Sequence, residues 1–397
     1  MNAPLSGATL TAPLEWPARV NEIPKGIFER EDIYQLELER FFYGPYWHPL
    51  GHMAEFPTPG SFKSTWIGEM PVLVVHGEDG QVRVFFNACS HRGTQLETSF
   101  MGCKTSFECP YHRWLFDTTG ALRGAPAQDD FSPSFRAEDF GLKELRSQVY
   151  YGMVFATVQP DAPDLLTFLE EAAEPFRIGM GGDGRLKLLG YQKVVYNTNW
   201  KFYFDNDGYH APLLHAAFKL LGWQGGQGRQ SATPGGHLCF SSELKIPRQA
   251  DFLQDPSLVA FKGTDPKQGS VIAGLMPITG VVKHMDVINV RYAFPRGLDQ
   301  TEVHYAYYAH ADDDEDMVRH RLRQASNLLG PSGLVSIEDA AVFHRLHAAR
   351  RAPGTFVFQK GVKDEHTLSY EFKQNDESGN LPRWDHYRRV MGFTRAV

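Results

Sequence analysis

The sequence predicts an α+β chain in which a small all-β unit precedes a larger mixed unit. Short β-branched and aromatic runs with turn signals fill residues 61–158. From residue 160 onward helical and strand-like segments alternate instead. A length of 397 residues suits two or three core-sized units.

Residues 1–26 are Pro-rich and unperiodic, and read as a surface arm. Residues 27–43 place Ile27, Ile33, Leu36, Leu38 and Phe41 roughly on one side, which predicts a helix ended by Pro45 and Pro49. Residues 71–76 and 82–86 flank GEDG, a hairpin signal. Residues 114–122 turn at Thr118–Gly120, and 149–158 read as one closing strand. Helices are expected at 164–177, 313–329 and 336–350, the last with Ser336 as its N-cap. Strands are expected at 187–197 and as a pair within 284–310.

Composition narrows the function classes. Lys plus Arg is 40 and Asp plus Glu is 47, a balance of −7 that lacks the basic field non-specific nucleic-acid binding needs. The first 25 residues hold no long apolar core, and runs such as PVLVV are too short for a membrane span. The expectation is a cytoplasmic protein without nucleic-acid or membrane partners. Three of the four cysteines fall within 21 residues, a pattern that points to metal or redox chemistry rather than disulfides. Cys103 and Cys239 receive no role.

Cys89 and His91 form C-x-H, and Cys109 and His112 form C-x2-H. Tetrahedral zinc takes two cysteines and two histidines. So does a Rieske [2Fe–2S] centre, with the thiolates on one iron and the imidazoles on the other. Zinc fingers keep like ligands together, whereas each half here mixes them, which favours the iron–sulfur centre. His210 and His215, five apart, invite a second metal. Asp339 is the candidate third ligand, buried by Ala340, Ala341, Val342 and Leu346; Glu338, His344 and His347 are rivals. Two histidines and one carboxylate make the non-haem Fe(II) facial triad.

CSHRG at 89–93, CPYHRW at 109–114, NWK at 199–201, DNDGYHAPLLH at 205–215 and GPSGLVSIED at 330–339 together resemble the large (α) subunit of the Rieske non-haem iron aromatic-ring-hydroxylating oxygenases. The resemblance runs from about Ile27 to Phe393. It implies an N-terminal arm and helix at 1–44, a Rieske domain at 45–158, and a catalytic domain at 159–397 whose antiparallel sheet wraps around helices in a helix-grip, START-like fold. It implies a cluster on Cys89, His91, Cys109 and His112, and iron on His210, His215 and Asp339. Asp207 would bridge to His112 of the next chain in a homotrimer. O2 would be the co-substrate, electrons would come from a ferredoxin or flavin reductase, and a small β subunit could complete an α3β3 assembly.

Some positions depart from the family pattern: Asp205 replaces Glu, Arg113 replaces a frequent Gly, and His344 and His347 replace Glu and Gln. The stretch between NWK and YH is two residues shorter. The closest look is to the terephthalate, salicylate and anthranilate group, so an aromatic acid is the expected substrate. Arg291 would anchor its carboxylate if it points inward rather than into a surface ion pair. Asn206, Leu214, Phe218, Ile288 and Phe343 would wall the pocket. The competing reading is a Rieske-type electron carrier or structural metal protein with no oxygenase site.

Overall fold

The computed structural model describes residues 9–206, 210–216, 228–245 and 253–396. The chain forms two compact units. One joins the first 42 residues to 164–397; the other is 43–163.

The smaller unit is built on a seven-stranded antiparallel sheet. Its spatial order is His48–His52, Met153–Thr157, Glu144–Tyr150, Val82–Phe86, Met70–His76, Ser61–Ile67, Met101–Cys103. Val72 and Val74 pack on one face with Leu50, Ile67 and Leu145. Leu73 and Val75 pack on the other with Phe62, Phe85 and Phe107. Burial on both faces explains why PVLVV shows no polar alternation. A three-stranded sheet, Ser106–Glu108, Leu115–Asp117 and Leu122–Gly124, stands beside it. Residues 149–158 are a hairpin and not the single strand expected. Tyr150 pairs with Met153 across Tyr151 and Gly152, both at positive φ (45° and 76°), the twist a two-residue hairpin turn requires.

The larger unit holds an eight-stranded antiparallel sheet. Its order is Leu186–Tyr196, Gln300–His310, Val287–Arg296, Thr279–His284, Ser270–Leu275, Leu238–Ser242, Gly228–Ala232, Glu371–Lys373. Tyr203, Phe204, Asn206, His210, Ala211, His215 and the helix Ser336–Ala348 contribute to a cavity over one face. The helix Ala173–Gly179 packs on the neighbouring strands through Gly179, where a Cβ would lie 2.6 Å from Val281 Cγ1. The expected helix at 27–43 divides into a 3-10 turn, an α-helix at Glu31–Glu37 and a π-turn at Leu38–Phe42. That at 164–177 breaks at Glu170, whose φ is 52°. Ser336 does not cap its helix: its Oγ donates to Leu329 O, and Val335 holds the cap position.

A buried ionic knot ties three distant segments of this unit. Glu37 accepts from Lys201 Nζ (2.8 Å), Trp200 Nε1 (2.7 Å) and the Tyr387 hydroxyl. Burial pushes the Lys201 ammonium below its usual range, while Glu37 opposes that fall. Asn199 caps the next turn by accepting from Lys201 N at 3.1 Å. The NWK motif therefore anchors the segment leading to His210. Glu37→Ala would leave the buried Lys201 without its counter-charge, so it should cost about 3–5 kcal/mol of stability. Denaturant unfolding reads this, and a loss below about 1 kcal/mol would refute the role.

Candidate metal centres and substrate cavity

Two loops in the smaller unit carry the four Cys and His residues, and their backbones match. Gly93 N donates to Cys89 O (2.8 Å), and Arg113 N to Cys109 O (3.0 Å). Cys89 N donates to Thr94 O and Cys109 N to Trp114 O, both at 2.8 Å. The fifth residue of each loop has positive φ, 75° at Gly93 and 62° at Arg113. The left-handed bend explains a glycine there; Arg113 accepts strain of about 1–2 kcal/mol instead. Asn87 pins the first loop, accepting from Leu96 N and Glu97 N and donating to Glu97 O.

Both cysteines are buried, His91 is exposed and His112 half-buried. The imidazole centroids lie 4.7 Å apart, and His91 stacks on Trp114. Burial raises the Cys89 thiol above its usual range. His112 Nδ1 is buried with no hydrogen-bond partner among the described residues, an orphaned lone pair suited to a metal. Thiolates inside and imidazoles toward solvent fit a two-iron cluster whose histidine edge faces outward.

In the larger unit the ligand atoms of His210, His215 and Asp339 lie within 4.8 Å of one another. His210 Nε2 is 3.2 Å from His215 Nε2. Asp339 Oδ1 lies 3.1 Å and 3.3 Å from those two nitrogens, yet makes no hydrogen bond of acceptable geometry. Burial would raise the Asp339 carboxyl, but the two imidazoles outweigh it and hold it at about 2. Two imidazole nitrogens and one carboxylate oxygen converging within 4.8 Å fit a metal ion.

The rivals for the third position lie elsewhere. Glu338 accepts from Ala216 N (3.1 Å), and its Oε2 is 3.0 Å from His215 Nδ1. It thus holds the far side of the imidazole and fixes which nitrogen faces the metal. His347 Nδ1 accepts from Asn199 N, and its Nε2 lies 3.1 Å from Asp299. His344 is exposed. The buried stripe of this helix is Ser336, Asp339, Phe343 and His347, not the expected Ala340, Ala341, Val342 and Leu346. Spacings of three and four mark the inward face, and those alanines fall off it.

A cavity of about 240 Å³ opens beside the triad. Arg291, Asn206 and Phe343 line it. Leu214 and Ile288 do not. Ile288 is three residues from Arg291 on one strand, so alternation turns it to the opposite face. Leu214 is half-buried in the four-residue helix Ala211–Leu214, away from the lining. Asp207 and Phe218 lie outside the described residues. Asp205 accepts from Trp384 Nε1 at 2.7 Å. Cys103 is exposed; Cys239 is buried, its thiol pushed up to about 11 by burial. The sequence reading missed Tyr196, Tyr203 and Tyr305, which line the cavity around Arg291. Alternating aromatics at 305–308 were the only signal.

Comparison with known proteins identifies both units. Residues 46–144 match the Rieske [2Fe-2S] domain, and 184–376 match the ring hydroxylating alpha subunit catalytic domain. The chain is 30% identical to the terephthalate 1,2-dioxygenase terminal oxygenase component subunit alpha 2 of Comamonas sp, covering 96% of this chain and 98% of that protein. It is 30% identical to the large oxygenase component of salicylate 5-hydroxylase from Ralstonia sp, covering 83% and 85%. Naphthalene 1,2-dioxygenase from Rhodococcus sp. bound to indole shares the fold, with TM-score 0.80, 22% identity and coverage of 93% and 94%. A quaternary ammonium Rieske monooxygenase does so at TM-score 0.77 and 20% identity, covering 96% and 99%.

The chain belongs to the Rieske ring-hydroxylating oxygenases, as a large (alpha) subunit. It is the terminal oxygenase component of such a system, and the electron-carrier alternative finds no support. No helix among the described residues is long and apolar enough to cross a membrane.

Glu338→Ala should weaken iron retention about 10–100-fold while leaving the cluster's visible absorption intact. Iron per chain after graded chelator dialysis measures it. Unchanged retention would exclude Glu338 as the support for His215.

Proposed function

We propose that this subunit hydroxylates the ring of an aromatic carboxylic acid, with His210, His215 and Asp339 holding the iron and Cys89, His91, Cys109 and His112 the cluster. When bound, the cluster supplies single electrons and the iron supplies open coordination positions for O2. The observation that carries the substrate class is Arg291. Its guanidinium lines the cavity, donating through Nε to Asn289 (3.1 Å) and through Nη2 to Leu329 O (3.3 Å). It lies 5.1 Å from the Tyr305 ring centroid. No carboxylate among the described residues forms an ion pair with it; its other side-chain partner is the Tyr203 hydroxyl, so its charge is left to an anionic ligand.

Burial opposes the Arg291 charge, but its surroundings, with the negative Asp339 among them, hold it protonated. A fixed cation beside apolar cavity walls selects an anionic end and orients the ring. Phe343, packed edge-on against Tyr196 and Tyr203, walls one side. Glu338 keeps His215 in one tautomer, and the low Asp339 carboxyl keeps a ligand charge in place.

The chain carries no dinucleotide-binding pattern, so NAD(P)H chemistry belongs to a separate reductase or ferredoxin chain. By the family motif, Asp207 bridges to His112 of a neighbouring copy in a trimer. Asp207→Asn should retain both metals yet slow oxidation of the reduced cluster by O2 and substrate at least tenfold in stopped flow. Rapid oxidation would remove the bridge.

Single turnover of the reduced protein with benzoate, salicylate, anthranilate and terephthalate, beside benzene and naphthalene, tests the substrate class. Oxygenated product from acids is expected, with mass spectrometry counting the oxygens gained. Arg291→Met should raise KM for the acid about 100-fold, the loss of about 3 kcal/mol from a charge-assisted contact. Turnover of neutral rings alone would sink the acid reading and leave the oxygenase standing.

A further inference from the structure

The sheet beneath the cavity is graded in polarity. Register aligns Gly274, Gly280 and Arg291 in one row across three strands. Two residues along, Phe240, Ile272 and Val282 form an apolar row. Two further along, Ser242 pairs with Ser270, and Ser270 with His284. Members of all three rows line the cavity.

The two ends differ in charge. Both arginines of the lining belong to the first row's end: Arg291 within it, and Arg383 donating to Gly274 O at 2.7 Å. The third row offers two hydroxyls and an imidazole. Ser270 Oγ lies 3.1 Å from His284 Nδ1. Burial, with Arg291 adding, pushes the His284 imidazole down to about 4, so it is neutral at pH 7. Ser242 is 6% exposed, and its Oγ has no hydrogen-bond partner among the described residues. Ser242 lines the cavity, and a buried hydroxyl without a partner is costly unless a ligand satisfies it.

The rows at the two ends are four residues apart, about 13 Å along the strands. Arg291 turns back toward Asn289, in register with the middle row, which shortens the gap. A second polar group on the ring, away from the carboxylate held by Arg291, extends the ligand toward the third row.

We infer that Ser242, Ser270 and His284 form a second binding subsite, which takes an uncharged hydrogen-bonding substituent, such as a hydroxyl or amino group, on the aromatic acid. This rests on the aromatic-acid reading and narrows it. The apolar middle row receives the ring, and the Ser242 hydroxyl bonds the substituent.

The test is calorimetric binding to the anaerobically reduced holoenzyme. The ligands are 3- and 4-hydroxybenzoate against benzoate, and phenol against benzene. The wild-type protein should bind a hydroxybenzoate at least tenfold tighter than benzoate. Ser242→Ala should cut that ratio at least fivefold, and Ser270→Ala should cut it too by releasing His284. A ratio near one in the wild type, or one that neither variant moves, overturns the subsite, as does absence of binding by all five ligands. If no acid binds but the phenol-to-benzene preference falls in Ser242→Ala, the subsite stands and the aromatic-acid reading fails.

Discussion

Burying an ionised carboxylate costs several kcal/mol unless opposite charge meets it, and the catalytic unit is arranged around that constraint at Asp339. The acid sits on the inward stripe of its helix, with Phe343 and His347 one and two turns on. His347 ties that helix to the backbone of Asn199. Asn199 begins the segment that leads to His210, and the Glu37–Lys201 pair locks that segment to the N-terminal and C-terminal helices. A chain of buried polar contacts thus aims two imidazoles at one carboxylate. The three form the donor set that a cation would take.

The smaller unit meets a related demand differently. Two thiols must lie in an apolar interior while two imidazoles reach the surface. Duplicated loop geometry achieves this, each loop closing on its own cysteine carbonyl and bending through a left-handed residue. Where one loop uses Gly93, the other holds Arg113 at positive φ, and Arg113 pairs with Glu108. The strain is tolerated because the surrounding hydrogen bonds leave the loop no alternative path.

The cavity adjoins the His210–His215–Asp339 triad, and its floor belongs to the eight-stranded sheet. The cavity floor is one face of a sheet whose opposite face is packed. Side chains on the floor can change without disturbing the packed face, because alternate residues point opposite ways. That separation lets one fold serve substrates as unlike as those named in its relatives. In this chain the floor runs from guanidinium through apolar side chains to hydroxyls.

The sequence by itself determined the fold class, most element positions and the candidate ligands, because ligand chemistry demands particular residue types at close spacing. Cys89, His91, Cys109 and His112 are local pairs, and His210 and His215 lie five apart, so a linear reading finds them. Asp339 required a choice among neighbours, which only the helix's rotation made: Asp339 turns in, Glu338 turns behind His215, and His344 turns to solvent. The pocket walls were hardest to read. Ile288 looked as eligible as Arg291 until strand alternation placed them on opposite faces. The tyrosines around Arg291 come from two strands and the helix Trp200–Phe204, and the row Ser242–Ser270–His284 from three successive strands. Their meeting depends on register, which the turns and the packing of a whole sheet face set together rather than any one residue's neighbours.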